Sequence, residues 1–284
     1  MIPAAFDYAA PGSVEEALGL LAGAEDAKIM AGGQSLLAVL KLRLAAPGLV
    51  IDLGKIDALR GVREDGDAIV IGALTTHHDV ATDPLVAAHA RLISQAAATI
   101  ADPQVRHRGT FGGALAHADP AGDLPAPVLA LDAEFVILSS QGRETVSAAD
   151  FFEDLFTTAL GEDKILLEVR VPKKTGWGAA YEKFVRVAHQ WAIVAVAACV
   201  RTEGGRIAEA RIGLTNMGPV PIRPTAVERA LVGCTVDEAA IQGAVATVAD
   251  GTNPPSDINA DADYRRHLAT VLTRRAVLAA TQEG

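Results

Sequence analysis

Two paired-glycine turns constrain this chain more than any other feature. The first, in MAGGQSL (residues 30–36), follows the short apolar run AKIM and precedes the helical spacing of SLLAVLKLRL. The second, in TFGGA (residues 110–114), lies in the stretch GTFGGALAHADPAGDLP and repeats the arrangement. Paired glycines at a strand-to-helix turn let the main chain approach a ligand closely. They also leave N–H groups free at a helix N-terminus, where anions are favoured. For the first motif taken alone, a tight turn needing positive φ is the better account. Neither is a GxGxxG fingerprint or a GxxxxGK[ST] loop, which sets aside a nicotinamide Rossmann site and an ATP or GTP site.

Charge narrows the ligand. With 35 acidic against 25 basic residues the formal charge is -10, so no long-range field draws in nucleic acid or an anionic membrane. A phosphate must be held by local geometry, and two glycine turns can give backbone donors to both halves of a pyrophosphate. That points to a dinucleotide. Asp123, just downstream, would repel phosphates but can accept hydrogen bonds from a ribityl or ribose chain. Ser35 is better placed to donate to phosphate than to act as a nucleophile, since there is no GxSxG and no cysteine stands near a histidine in sequence.

Other candidates are weaker. His117, Asp119 and Asp123 are metal-ligand types. A crossing loop explains the neighbouring glycines and prolines better, and there is no HExxH. His77 and His78 follow the apolar run AIVIGAL, and adjacent strand residues face opposite ways, so a joint ligand role is not expected. The lead-in QVRHRG, with Arg106, His107 and Arg108, suits either contacts with an acidic partner or an ordinary solvated turn. Cys199 and Cys234 form no CxxC pair, which excludes a self-contained thiolate site for iron–sulfur or zinc; both are expected as small core residues.

The texture of the chain predicts its organisation. Up to residue 55, Ser13 and Glu16 read as a capping box before a helix, followed by strand, glycine turn, helix and strand, which implies a small parallel sheet. Over 56–175 the strands AIVIGAL, AEFVILSS, ETVSAADFF and KILLEVRVP, with a helix at about 84–100, suggest a more antiparallel sheet. The turn-rich PKKTGWG marks a boundary, and 176–284 carries strands and then helices at about 224–232, 236–249 and 261–282. The expected domains are therefore 1–175, with subdomains 1–55 and 56–175, and 176–284. Apolar runs such as WAIVAVAACV are about half of the roughly 20 residues a membrane span needs. The N-terminus has no basic or apolar leader, so a soluble cytoplasmic protein is expected. Aromatics at 4% are too few to stack single-stranded nucleic acid.

At these residues the sequence resembles a known family. AGGQSLLAVLKLRL, TIADPQVRHRGTFGGALAHADPAGDLPA, GLTNMGPVPIRPTAVERAL and SDINADADYRRHLATVLTRRA are similar to the FAD-binding medium subunit of molybdenum hydroxylases, the carbon monoxide dehydrogenase and xanthine dehydrogenase group. The likeness runs from IPAAFDY to the final RRAVLAA. It implies an α+β fold: two subdomains of the vanillyl-alcohol-oxidase (PCMH) type of FAD fold, then a smaller α+β C-terminal domain.

The resemblance also implies FAD contacts. On the first loop these are Lys28, Ile29, Ala31, Gly32, Gly33, Gln34, Ser35 and Leu36, around the pyrophosphate. Gln34 stands where a histidine is common, which keeps a hydrogen-bonding group and removes a point of covalent attachment. On the second they are Thr110, Gly112, Gly113 and Ala114, with Asp123 on the polyol chain and Ile100 and Ala101 against the ring or adenine. Leu166 and Lys183 match later positions, and Trp191 stands either near the isoalloxazine or in the core. The implied role is electron transfer. Non-covalent FAD on this chain receives electrons from the [2Fe-2S] clusters of a small subunit, a large subunit holds the molybdenum cofactor, and the whole is a dimer of heterotrimers. Neither a catalytic residue nor a metal site is expected on this chain. The acceptor is left open among quinone, NAD, oxygen and a carrier protein; a stand-alone FAD oxidase or dehydrogenase of the same fold is the alternative.

Overall fold

The structure is a computed structural model that describes residues 1–283. Its first layer is a three-stranded parallel sheet in the order Asp7–Ala9, Leu49–Asp52, Ala27–Met30. The helix Val14–Gly23 starts at Ser13, whose side chain accepts from Glu16 N at 3.1 Å, while the Glu16 carboxylate accepts from Gly12 N at 2.8 Å. Two orphan N–H groups are thereby satisfied, and Ala17 and Leu21 are turned onto the core.

The second layer is a five-stranded antiparallel sheet in the order Val62–Asp65, Ala68–Gly72, Ile165–Pro172, Glu134–Ser139, Gly142–Ser147. Every residue of Ala68–Gly72 is buried, because helices cover one face and the parallel-sheet unit the other. Phe135 and Phe151 stack with ring centres 3.7 Å apart, an arrangement worth about 0.5–1.5 kcal/mol beyond the area it buries.

Three antiparallel strands, Gly178–Phe184, Val194–Glu203 and Arg206–Thr215, build the last unit. Strand alternation joins it to the rest: Ala197 and Cys199 face the large core, while Val196, Ala198 and Val200 face the helix Ala262–Glu283 and its neighbours. A Cβ on Gly213 would collide with the carbonyl of Ala126, so this strand can lie against the Pro125–Ala130 helix only with glycine there. Cys199 is buried and its thiol is pushed up to about 12 by burial; Cys234 is half-exposed rather than core.

Several elements differ from expectation. The helix read over about 84–100 is two, Pro84–His89 and Arg91–Ala98, and a further helix, His77–Thr82, precedes them. Asp83 lies before Pro84 with an extended backbone and caps a new helix, accepting from Leu85 N and Val86 N. His77 and His78 therefore sit in a first helical turn, not on a strand. Of ETVSAADFF the part to Ser147 is strand, Ala148–Phe151 is a helical turn, and Phe152 opens the next strand, Phe152–Asp154. The edge strands Asp7–Ala9 and Val62–Asp65 are short, exposed and weakly patterned, which hid them from the sequence. Among the described residues no helix is long and apolar enough to cross a membrane.

Candidate functional site

A cavity of about 600 Å³ opens between the parallel-sheet unit and the five-stranded sheet. The glycine turn 31–35 forms one wall. Leu37 N bonds to Gly33 O and Val39 N to Ser35 O, starting the helix Leu36–Lys41. Among the described residues the N–H groups of Gly32, Gly33, Gln34 and Ser35 find no protein acceptor, and all four residues line the cavity. Four such donors beside one cavity form an anion cradle. Only Gly33 has a left-handed backbone, at φ +74. Gln34 folds back toward Gly32 O at 3.4 Å.

The second glycine pair does a different job. It is no loop: Gly112 and Gly113 lie in the first turn of the helix Phe111–His117. Their N–H groups are taken, Gly112 N by Ala73 O at 2.9 Å and Gly113 N by the Thr110 hydroxyl at 3.1 Å. A Cβ on Gly112 would lie 2.6 Å from Ala73 Cβ; one on Gly113 would lie 2.6 Å from Thr110 Oγ1 and 3.3 Å from Ala31 Cβ. These glycines let the helix seat on the sheet and touch the first loop. Matching donor sets for both halves of a pyrophosphate are therefore corrected to one donor loop and one packing helix.

The residues implied by resemblance divide into two groups. Lys28, Ile29, Ala31, Gly32, Gly33, Gln34, Ser35, Leu36, Thr110, Gly112, Gly113, Ala114 and Leu166 all line this cavity. Ile100, Ala101, Asp123, Lys183 and Trp191 do not. Arg106 donates to the carbonyls of Ile100 and Ala101 at 2.8 and 3.0 Å, so this arginine is neither a free surface cation nor part of a solvated turn. Asp123 is 4% exposed and accepts from Lys183 Nζ at 2.8 Å and Tyr181 Oη at 2.7 Å. Burial raises its pKa, opposed chiefly by the Lys183 charge. The pair ties the loop after His117 to the C-terminal sheet, and its two carboxylate oxygens are both engaged.

Among the other lining residues are His77, which the sequence suggested only as structural or solvent-facing, and Phe156, which it did not single out. His77 is buried behind the second glycine turn, and burial, with the Arg106 charge, lowers its pKa to about 4, so the ring is neutral. Its helix is capped by the Thr76 hydroxyl, which a T-x-x-D pattern could have signalled. Phe156, at the tip of the hairpin Phe152–Asp154/Thr157–Thr158, has φ +53, is 51% exposed, and packs on His117 with ring centres 5.0 Å apart. No local pattern marks it. Among the described residues no group of three or more metal-ligating side chains converges.

The chemistry of this cavity suits FAD. Its unpaired backbone donors match a pyrophosphate, and its apolar wall of Ile29, Leu36, Val39 and Leu166 suits the rings of a dinucleotide. Comparison with known proteins gives the same answer. Residues 4–174 match the family described as "FAD binding domain in molybdopterin dehydrogenase", and residues 179–280 match "CO dehydrogenase flavoprotein C-terminal domain". The carbon monoxide dehydrogenase medium chain of Hydrogenophaga pseudoflava is 42% identical, over 99% of this chain and 98% of its own length. That of Afipia carboxidovorans is 39% identical, over 98% and 97%. A solved structure of carbon monoxide dehydrogenase from Hydrogenophaga pseudoflava, lacking the Mo-pyranopterin moiety of the molybdenum cofactor, superposes with a TM-score of 0.96 at 44% identity, covering 100% of this chain and 99% of that one. From its glycine cradle to its C-terminal helix, the chain belongs to the FAD-binding medium-chain family of the molybdopterin dehydrogenases.

Proposed function

We propose that this chain is the FAD-carrying electron-transfer subunit of a molybdenum hydroxylase complex. The observation that carries it is the row of unpaired N–H groups from Gly32 to Ser35 lining one cavity, in a chain whose relatives are named as medium chains of dehydrogenases. When bound, FAD supplies redox chemistry able to exchange electrons singly or in pairs. The chain's own residues hold and shield it. Gly32–Ser35 meet the pyrophosphate, Thr110 and Ala114 border it from the facing helix, and Lys28, Ile29 and Leu166 flank one end. Asp123 and Lys183 lock the C-terminal sheet beside the FAD-binding unit, with Ile100, Ala101 and Trp191 in the surrounding shell.

The partners in this reading are a large molybdenum-binding subunit and a small [2Fe-2S] subunit, assembled in the cytoplasm as a dimer of heterotrimers. The domain limits are 1–175, with subdomains 1–55 and 56–175, and 176–284; the separate sheets support them. Co-expression with the neighbouring genes and native purification is the test. The expected product is a complex with one FAD per copy of this chain and a flavin reduced by substrate only when the partners are present. A purified chain that reduces its own flavin with a small organic donor would establish the stand-alone enzyme instead.

A further inference from the structure

His77 is 4% exposed, lines the glycine-turn cavity, and is held there by the backbone on both sides of it. Its N–H donates to Gly109 O at 3.0 Å, Thr76 forms a bridge with Thr110, and Phe111 N donates to Thr75 O at 2.8 Å. Residues 75–77 are thus pinned against the turn that opens the second glycine pair. The ring lies on Gly109, where a Cβ would stand 2.8 Å from His77 Cδ2 and 3.0 Å from Nε2. A Cβ on Gly32 would in turn stand 2.8 Å from Gly109 Cα. Imidazole, glycine and donor loop follow one another along a single wall, and all three line the cavity.

The two ring nitrogens differ in their surroundings. Nδ1 is buried and bonds to no protein group; Nε2 is not sealed in this way, and it too has no protein partner among the described residues. A proton on Nδ1 would be an N–H shut away with no acceptor, the rarest kind of unmet group in folded chains, while a proton on Nε2 can reach an acceptor in the cavity. The ring therefore carries its proton on Nε2. We propose that His77 is a further FAD-contacting residue, a neutral donor whose Nε2–H bonds to the pyrophosphate beside the N–H groups of Gly32–Ser35; the inference rests on the FAD reading of this cavity. Burial, with the Arg106 charge, lowers the ring's pKa to about 4, so no charge waits in the core for the ligand to compensate. A phosphate oxygen as acceptor makes this one of the stronger hydrogen bonds. The contact also explains an imidazole kept in the core without one side-chain partner, and a glycine at 109, where a side chain would cover the Nε2 edge.

The test titrates FAD into the apo full chain, followed by flavin fluorescence, with folding checked by circular dichroism. His77→Phe keeps a ring and removes both nitrogens; His77→Gln keeps an N–H donor at similar reach. The Phe variant should bind FAD about ten- to hundredfold more weakly, as for loss of a hydrogen bond to a charged group, and the Gln variant should recover most of that loss. Nitrogen NMR of the His77 ring in the unaltered chain reads the contact without substitution, and decides alone if His77→Phe does not fold. The proton is expected on Nε2 before and after loading, with its signal moved downfield by FAD. Unchanged affinity in His77→Phe, a Gln variant as weak as Phe, or a proton on Nδ1 each overturns the proposal. So does an Nε2–H signal indifferent to FAD, which would make water the partner. An unaltered chain that takes up no FAD defeats the FAD reading and this contact with it, whereas FAD uptake with His77 silent defeats the contact alone.

Discussion

Gly32 rests directly on the turn that leads into the second glycine pair: a methyl group on it would stand 2.8 Å from Gly109 Cα and inside contact with the Arg108 carbonyl. The donor loop and the packing helix are thus one rigid unit, and the first glycine of AGGQS is required by the protein before any ligand arrives. Gly33 is required for another reason, its backbone at φ +74.

These reasons predict a ranking. Gly32→Ala forces main chain from main chain and should cost about 1–3 kcal/mol of stability, the range for overpacking. Gly33→Ala should cost nearer 1 kcal/mol, since its Cβ meets side chains alone, Leu37 at 3.2 Å and Met30 Sδ at 3.4 Å, and the penalty is chiefly left-handed strain. Urea unfolding of the apo chains measures both, and FAD titration followed by flavin fluorescence should show the larger loss in Gly32→Ala. Equal or reversed effects would contradict the packing account.

The Asp123–Lys183 pair should behave as a buried unit. The two side chains are 2% and 10% exposed, so Asp123→Asn or Lys183→Met alone leaves a charge in low dielectric and should destabilise by about 3–5 kcal/mol. The double variant should cost clearly less than the sum. Denaturation midpoints of the four proteins complete the cycle; additivity within about 0.5 kcal/mol would mean the pair is not coupled. FAD titration of any variant that stays folded reads a separate quantity, whether a polyol hydroxyl also depends on Asp123.

His77 makes stability depend on pH. Its folded pKa of about 4 lies below the unfolded value near 6.5, so between these pH values the unfolded chain binds more protons. Stability therefore rises with pH through this window and is lost as pH falls from about 6.5 toward 4. The full loss is on the order of 3 kcal/mol. His117, lowered by burial, adds in the same direction. Unfolding at pH 7 and pH 5 should show a slope that flattens in His77→Gln; a slope unchanged in that variant would assign the effect elsewhere.

How much was legible beforehand depended on whether a signal was local. Ser13 with Glu16, the run AIVIG and the long C-terminal helix are local patterns, and each appears where the sequence puts it. The first glycine turn does leave its N–H groups without protein acceptors, because free donors at a helix start follow from spacing alone. The second was misread because Gly113 N is taken by the nearby Thr110 hydroxyl and Gly112 N by Ala73, whose carbonyl is far away in sequence and is brought there only by the fold. Asp123 hid its partner for the same reason: Lys183 arrives from the C-terminal sheet. Phe156 carries no periodicity at all, being a hairpin tip that only the fold brings to the cavity.

The last prediction concerns attachment of the cofactor. Covalent flavin linkage needs a nucleophilic side chain beside the ring, and Gln34 is an amide whose side chain turns back toward Gly32 O. Cys199 is sealed in the core with its thiol held protonated, and neither cysteine lines the glycine-turn cavity. The histidines at the cavity are neutral His77, buried against Gly109, and His117, packed on Phe156. His117 is the single side chain there with both the chemistry and some exposure. The FAD should nonetheless be held by contacts alone. Acid precipitation of the flavin-loaded protein should release the yellow colour into the supernatant, with the intact chain at its unmodified mass. Colour retained by the pellet, or a flavin adduct lost in His117→Ala, would show a bond to His117 and reverse this assignment.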